Sequence, residues 1–487
     1  MSNENSQTLE DVSIEEPKQK KNPFETENIG KLIAKFAIPC VISLLVNALY
    51  NIVDQIFIGQ GVGYLGNAAT NVVFPFTVIA TAFALLVGDG AAAFLSIKLG
   101  EKRKEEASKG IGNAIVIAAI LGVLFFAIGM IFKNQLIHLF GATDAVIPYA
   151  LGYAKYIIIG LPFVIFATSM NSIIRADSSP KYAMISMLLG AVINVILDPI
   201  FIFVFHMGVE GAAIATVIGQ IATFLFAILY LRRFKSITLN KENMKLDFGV
   251  SKRVLSLGIS SFITQMAITI VIVVVNNSLA HYGSTSIYGA EIPLSALGIV
   301  MKVNQILISI IVGIAVGSQP IIGFNYGAKN YARVKKTYLV SIGLATIVTT
   351  IGLVLFEVFP QAIINLFGQE EGLYNEFALK CFRIFLMLCI CNGFQITSGV
   401  FFQAIGKPIK AAILSLSRQI VIFIPAIIIL THRFGVEGVL YTGPVSDGIA
   451  FVIAVIFILI EMKTLHRMSQ ERNTEAAVES EVLVNEG

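Results

Sequence analysis

The sequence predicts an all-α, polytopic membrane protein of twelve transmembrane helices in two parallel six-helix lobes. Composition, the spacing of apolar runs and an internal repeat lead to that prediction. Of 487 residues, 56% are hydrophobic and 14% charged, against about a quarter charged in soluble domains. The charges are bunched between long apolar runs, so lipid is the solvent for most of the chain and the expected surrounding partner. The net charge of +4 is modest and carried mostly by short loops. It reads as membrane orientation, and no nucleic-acid partner is expected.

A helix needs about 20 residues to cross a hydrocarbon core of about 30 Å. Runs of sufficient length lie near 31–58, 68–97, 110–132, 147–173, 181–205 and 210–231 in the first half. Six more lie near 254–281, 291–323, 337–358, 375–403, 409–431 and 436–461. The polar stretch 1–28 has no short apolar segment with a cleavage site, so the first helix is expected to insert without a removable signal. The domain plan is therefore a polar tail (1–28), a first lobe (29–231), a linker (232–253), a second lobe (254–462) and a second tail (463–487).

Lys and Arg resist translocation and stay cytoplasmic. The loop 98–109 holds Lys98, Lys102, Arg103, Lys104 and Lys109, the segment 232–253 is also strongly basic, and 329–336 adds four more cations. The connections on the other side hold Lys133 and Arg433. Both termini are thus expected in the cytoplasm of a multi-pass protein of the cell membrane.

His138-Leu-Phe-Gly141 recurs as Asn365-Leu-Phe-Gly368, and Gly208-Val-Glu-Gly211 recurs as Gly435-Val-Glu-Gly438, both 227 residues on. Gly100-Glu-Lys102 and Gly327-Ala-Lys329 keep that offset, while Pro180 and Pro408 differ by 228. One unit was duplicated. Six helices per unit is an even number, so the two repeats are parallel and face each other across a cavity.

A charge inside a span is costly and needs a reason. The candidates are Asp54, Asp89, Lys155, Asp198, Lys302, Arg383, Arg418 and Asp447. By the rise of a helix, Asp54 and Asp198 fall about 7 and 12 Å from the outer ends of their spans, and Thr216 lies in the same leaflet. Tyr50 and Asn194 sit four residues before these carboxylates, on the same helix faces. Carboxylate, amide and hydroxyl oxygens suit an alkali cation, so Na+ is a candidate at Asp54, Asp198, Asn194 and Thr216. A carboxylate in low dielectric equally suits a proton. The bland alternative is that Asp198-Pro199 only pins a kink. Asp89, within Gly-Asp-Gly, reads as a cap near a helix end, and Lys155 as a side chain that snorkels outward. Cys40, Cys381, Cys389 and Cys391 sit in apolar stretches as small hydrophobes.

Pro39 with Asp54 fifteen residues on, Gly88 to Gly100 ahead of Glu101-Lys-Arg-Lys-Glu-Glu-Ala107, and Asn194-Val-Ile-Leu-Asp198-Pro199 resemble the multidrug and toxic compound extrusion (MATE) family over nearly the whole chain. The resemblance implies two six-helix lobes in a V, and a secondary antiporter that exports bulky, often cationic drugs against Na+ or H+. A monomer without a cofactor is expected, and the resemblance implies a coupling site in the amino-terminal lobe at Tyr50, Asp54, Tyr153, Asn171, Asn194, Asp198 and Thr216, with Pro39 as a helix-bending residue. Another branch of the family places acids in helices seven and ten. Here helix seven offers Gln265, and helix ten has no acid beyond Glu376 near its outer end. The second lobe instead carries Lys302, Arg383 and Arg418. Lys302, Arg418 and Gln265 are candidates to line the substrate cleft, where the cations would narrow the choice of cationic substrates or bind anionic groups. The alternative for the cations is snorkelling or pairing with Asp447. A cleft rich in cations also keeps open a flippase for a lipid-linked saccharide. Gly61-Val-Gly63-Tyr-Leu-Gly66 follows a membrane helix rather than a strand and is no dinucleotide site. No phosphate-binding loop or catalytic motif appears, so an enzyme is not expected.

Overall fold

The structure, a computed structural model, describes residues 23–140, 142, 144–289, 291–365 and 372–485. It contains no strand among these residues. The first lobe comprises α1 (Ile29–Val62), α2 (Tyr64–Gly100), α3 (Lys104–Leu139), α4 (Ile147–Ala176), α5 (Pro180–Val204) and α6 (Gly208–Tyr230). The second comprises α7 (Phe248–Ser284), α8 (Glu291–Gly327), α9 (Tyr331–Val358), α10 (Leu373–Phe385 with Ile390–Ala404), α11 (Pro408–Phe434) and α12 (Glu437–Asn485). Eleven of these are single helices long and apolar enough to cross a membrane. The twelfth, α10, is a pair bent by 51°. Twelve spans are as the sequence predicts.

The helices overrun the hydropathic boundaries. α3 starts at Lys104 rather than 110, and α12 continues well past 461. Both extensions are rich in Lys, Glu, Gln and Arg, good helix formers that end an apolar run without ending a helix. The expected carboxyl-terminal tail thus opens as a continuation of α12, and the expected linker 232–253 yields its last residues to α7. Of the first tail, residues 1–22 lie outside the described residues, as do Gly141 and 366–368 of one repeated motif.

The duplication is visible in the backbone. Lys102 and Lys329 take left-handed φ values of 61° and 58°, and Gly208 and Gly435 take 58° and 62°, both pairs at the offset of 227. Ser178 (φ 60°) and Gly406 (φ 74°) match at 228, the offset of the two prolines that follow them. These are the turns that end one helix and aim the next, and the same aim is used in both lobes.

Three apolar clusters lie within single lobes, one cluster of the first lobe also takes in Val254 and Leu257 of α7, and a further cluster joins Leu32, Ile33 and Phe36 of α1 to Ile314, Ile321 and Phe324 of α8. The lobes meet through glycines in the half of the molecule nearest the basic connections. A Cβ on Gly258 of α7 would stand 1.8 Å from the Leu86 carbonyl of α2, and one on Gly317 of α8 would stand 2.6 Å from Cα of Ala37 in α1. On the pseudo-twofold, Gly100 presses on the Phe324 carbonyl at 2.0 Å and Gly327 on the Ile97 carbonyl at 2.1 Å by the same measure. Only hydrogen fits at such crossings, so these four positions let the backbones touch.

Candidate functional site

Pro199 has no N–H, which leaves the Val195 carbonyl of α5 without its helical donor. The helix answers by widening into a π-turn over Ile200–Val204, a feature that often marks functional positions. Asp198, immediately before the break, is fully buried. Asn194, one turn earlier, donates from Nδ2 to Asp198 Oδ1 at 3.1 Å and to Thr216 Oγ1 of α6 at 3.2 Å. α1 packs on α5 and brings the Asp54 carboxyl against that of Asp198. Tyr50 of α1 and Tyr153 of α4 lie close enough to feel the charge of both. Six of the expected residues thus come together from four helices. Asp54 Oδ1, Asp198 Oδ2 and Asn194 Oδ1 are buried atoms with no hydrogen-bond partner among the described residues.

Such a set can do one thing well. Two carboxylates side by side in low dielectric call for a counter-charge, and three unpartnered oxygens with a nearby hydroxyl offer hard ligands for it. The donor set fits an alkali cation, and the carboxyl pair fits a proton. All of the donors are hard oxygens, which suit an alkali cation better than a soft transition metal.

Asn171 lies elsewhere. Its Nδ2 donates to the Ala183 carbonyl at 3.0 Å and its Oδ1 accepts from Arg175 Nη1 at 2.6 Å. Arg175 in turn reaches Ser172 Oγ at 2.9 Å and approaches Asp89 at 3.8 Å. Pro39 sits inside an unbroken α1, where Ser43 Oγ donates to its carbonyl at 2.8 Å.

Asp89 is not a cap, because α2 runs on to Gly100. Its carboxylate is buried and accepts from Ser172 Oγ at 2.7 Å and from Ser261 Oγ of α7 at 2.8 Å. Gln403 of α10 donates to Ser261 Oγ at 3.1 Å and to the Leu257 carbonyl at 3.2 Å. Sequence reasoning missed this bridge between lobes. Its one signal was the cost of a carboxylate within an apolar run.

In the second lobe, Arg418 lies in a π-turn (Ser417–Ile422) of α11 and donates from Nε to Asp447 Oδ1 of α12 at 2.8 Å. Gln395 of α10 donates to the Asp447 carbonyl at 2.8 Å. Arg418 therefore sits inside its lobe as half of an ion pair, the alternative the sequence left open. Lys302 and Arg383 are exposed, and Gln265 is half-buried on α7. The exposed Lys155 lies over the Tyr156 ring at 5.3 Å. The cysteines are free, with Cys40, Cys381 and Cys389 buried.

The MatE family model matches residues 39–200 and 259–429, well over half of the chain and one block in each lobe. The chain belongs to the MATE family. A curated relative, the multidrug export protein MepA of Staphylococcus haemolyticus (strain JCSC1435), is 28% identical over 442 residues, covering 89% of this chain and 94% of the relative. Among solved structures, a MATE protein in complex with MaD3S superposes with a TM-score of 0.85 at 24% identity, covering 91% of this chain and 98% of that one. The outward-facing conformation of a multidrug resistance MATE family transporter of the MOP superfamily matches equally, with a TM-score of 0.85 at 24% identity over 93% of this chain and all of that one. The fold is that of the family, two six-helix lobes arranged in a V.

Proposed function

We propose that this MATE protein is a secondary multidrug exporter, in which Na+ or H+ moving inward through the first lobe drives bulky compounds outward through the cleft between lobes. The observation that carries the reading is the adjacent pair of half-buried Asp54 and buried Asp198, each with a buried oxygen that lacks a partner among the described residues. A bound cation or proton supplies the missing partner and removes the repulsion, so the occupied and empty site favour different packings of α1 against α5. Tyr50 and Tyr153 frame the carboxylates, Asn194 orients Asp198, and Thr216 adds a hydroxyl ligand. Pro39 supplies a point at which α1 can bend, because its ring removes a helical hydrogen bond. The basic connections face the cytoplasm by the charge rule. A flippase for a lipid-linked saccharide is the second reading, and Lys302, an exposed cation within α8, is what favours it.

The deciding experiment is efflux of ethidium from reconstituted vesicles with sodium and pH gradients imposed separately. Efflux driven by one gradient supports export and identifies the ion. Efflux indifferent to both rules out ion coupling.

A further inference from the structure

The contacts between lobes fix which face of each helix looks across the cleft. On α8, Gly313 packs against Val41 of α1. Lys302 lies eleven residues earlier, about three turns, and so projects from the same face. Nearer the basic end that face is clamped against the first lobe. At Lys302 it carries an exposed side chain, as does Gln305 one turn on. On α7, Gly258 packs against α2, and Gln265, Thr269 and Asn276 follow at about two, three and five turns on that same face. From α2, the face that meets the second lobe at Leu86 continues to Phe83, Ile79 and Pro75, and Phe83 meets Phe262 of α7 at 4.9 Å.

The wall thus combines amides and one ammonium on the second lobe with an apolar strip on the first. Lys302 has neither a hydrogen bond nor an ion pair with any described residue. An unpaired ammonium that deep in a span does not face hydrocarbon, and its helix face points to the cleft. The single acid in α7 or α8 is Glu291, at the first position of α8 and therefore at the mouth. The deeper carboxylates are engaged within the lobes or between them, Asp54 with Asp198, Asp89 with Ser172 and Ser261, and Asp447 with Arg418.

We propose that Lys302 makes this cleft a receptor for amphiphilic small molecules bearing an oxyanion, such as a carboxylate or sulfonate. The ammonium receives the oxyanion, Gln265 and Asn276 offer hydrogen bonds at separate levels along the same wall, and the apolar body lies along Pro75, Ile79 and Phe83. This assignment rests on the exporter reading and names its substrate class. Cationic compounds meet a like charge here and are disfavoured.

The test uses the full-length protein in proteoliposomes with the driving gradient imposed, following efflux of fluorescein as the carboxylate-bearing probe and ethidium as the cation. Fluorescein is expected to be the better substrate. Lys302→Gln, which breaks no hydrogen bond or ion pair among the described residues, is expected to cut fluorescein efflux about tenfold, the worth of one charge-assisted hydrogen bond, while ethidium efflux rises. Lys302→Glu is expected to invert the preference. A fluorescein-to-ethidium ratio that is the same in all three proteins overturns the assignment and leaves the exporter standing. Lys302-dependent flipping of a fluorescent phosphatidylglycerol without fluorescein efflux also overturns it, in favour of a lipid headgroup. Loss of gradient-driven efflux for both dyes in the unmodified protein removes the exporter reading and the assignment with it.

Discussion

Asp89 of α2 accepts a 2.8 Å hydrogen bond from Ser261 of α7, so a buried carboxylate of one lobe is held by a hydroxyl of the other. Gln403 of α10 secures Ser261 from the far side, and Arg175 with Ser172 holds Asp89 from its own lobe. The bridge lies in the half of the molecule where Gly258 and Gly317 let the lobes touch. It can form only while that half is closed.

Ser261→Ala removes the hydroxyl that joins the lobes and leaves Asp89 its bond from Ser172. A hydrogen bond to a charged group contributes roughly 1.5–3 kcal/mol, so the closed arrangement is expected to lose about a tenfold or greater share of the population. Spin labels at the exposed Lys109 and Lys336, one on each lobe, report it as a longer distance component in nanodiscs. An unchanged distance distribution means that the glycine crossings alone hold the lobes together.

Replacing Asp198 or Asp54 by Asn keeps the volume and removes the charge that answers to an inward-moving cation. Turnover is expected to fall about a hundredfold or more while substrate binding persists, the signature of a lost gating interaction rather than lost uniform binding. Efflux measured against drug concentration in vesicles separates the two. Gradient-driven efflux at the unmodified rate in the Asp198→Asn protein defeats the mechanism.

Thr216 Oγ1 accepts from Asn194 and so brings a hydroxyl into the carboxylate cluster. A hydroxyl ligand matters to Na+ and much less to H+. Under sodium coupling, Thr216→Ala is expected to raise the half-saturating sodium concentration about tenfold, equivalent to about 1.4 kcal/mol of ion binding, and to leave the response to a pH gradient intact. A variant that responds to sodium as the parent does assigns the coupling to the proton.

Single cysteines at Lys104 and Arg233 are expected to react with impermeant maleimide only when the reagent has access to the cytoplasmic side, because both belong to the basic connections. Modification of intact cells from outside at either position reverses the orientation and, with it, the direction of transport.

Amphipathic spacing and lipid solvation act along a single helix, and what depends on them was legible without coordinates. Twelve spans follow from apolar length, the duplication from motifs at a constant offset, and the pairing of Asn194 with Asp198 from one helical turn. The adjacency of Asp54 and Asp198, 144 residues apart, was suggested by their shared leaflet and by the family resemblance, because no period in either helix says which neighbour it packs on.

Contacts between helices decided the rest. Asn171 matched the family pattern, yet it bonds to Arg175. Asp89 resembled a cap and is a bridge, since its partner Ser261 stands on a helix of the other lobe. Arg418 resembled a cleft cation and is neutralised by Asp447 inside the second lobe, whereas Lys302, also a cation within a span, has no such partner among the described residues. A charge in an apolar run announces from sequence that it costs free energy. Which group offsets that cost depends on desolvated contacts between elements far apart in the chain, and tertiary packing alone sets those.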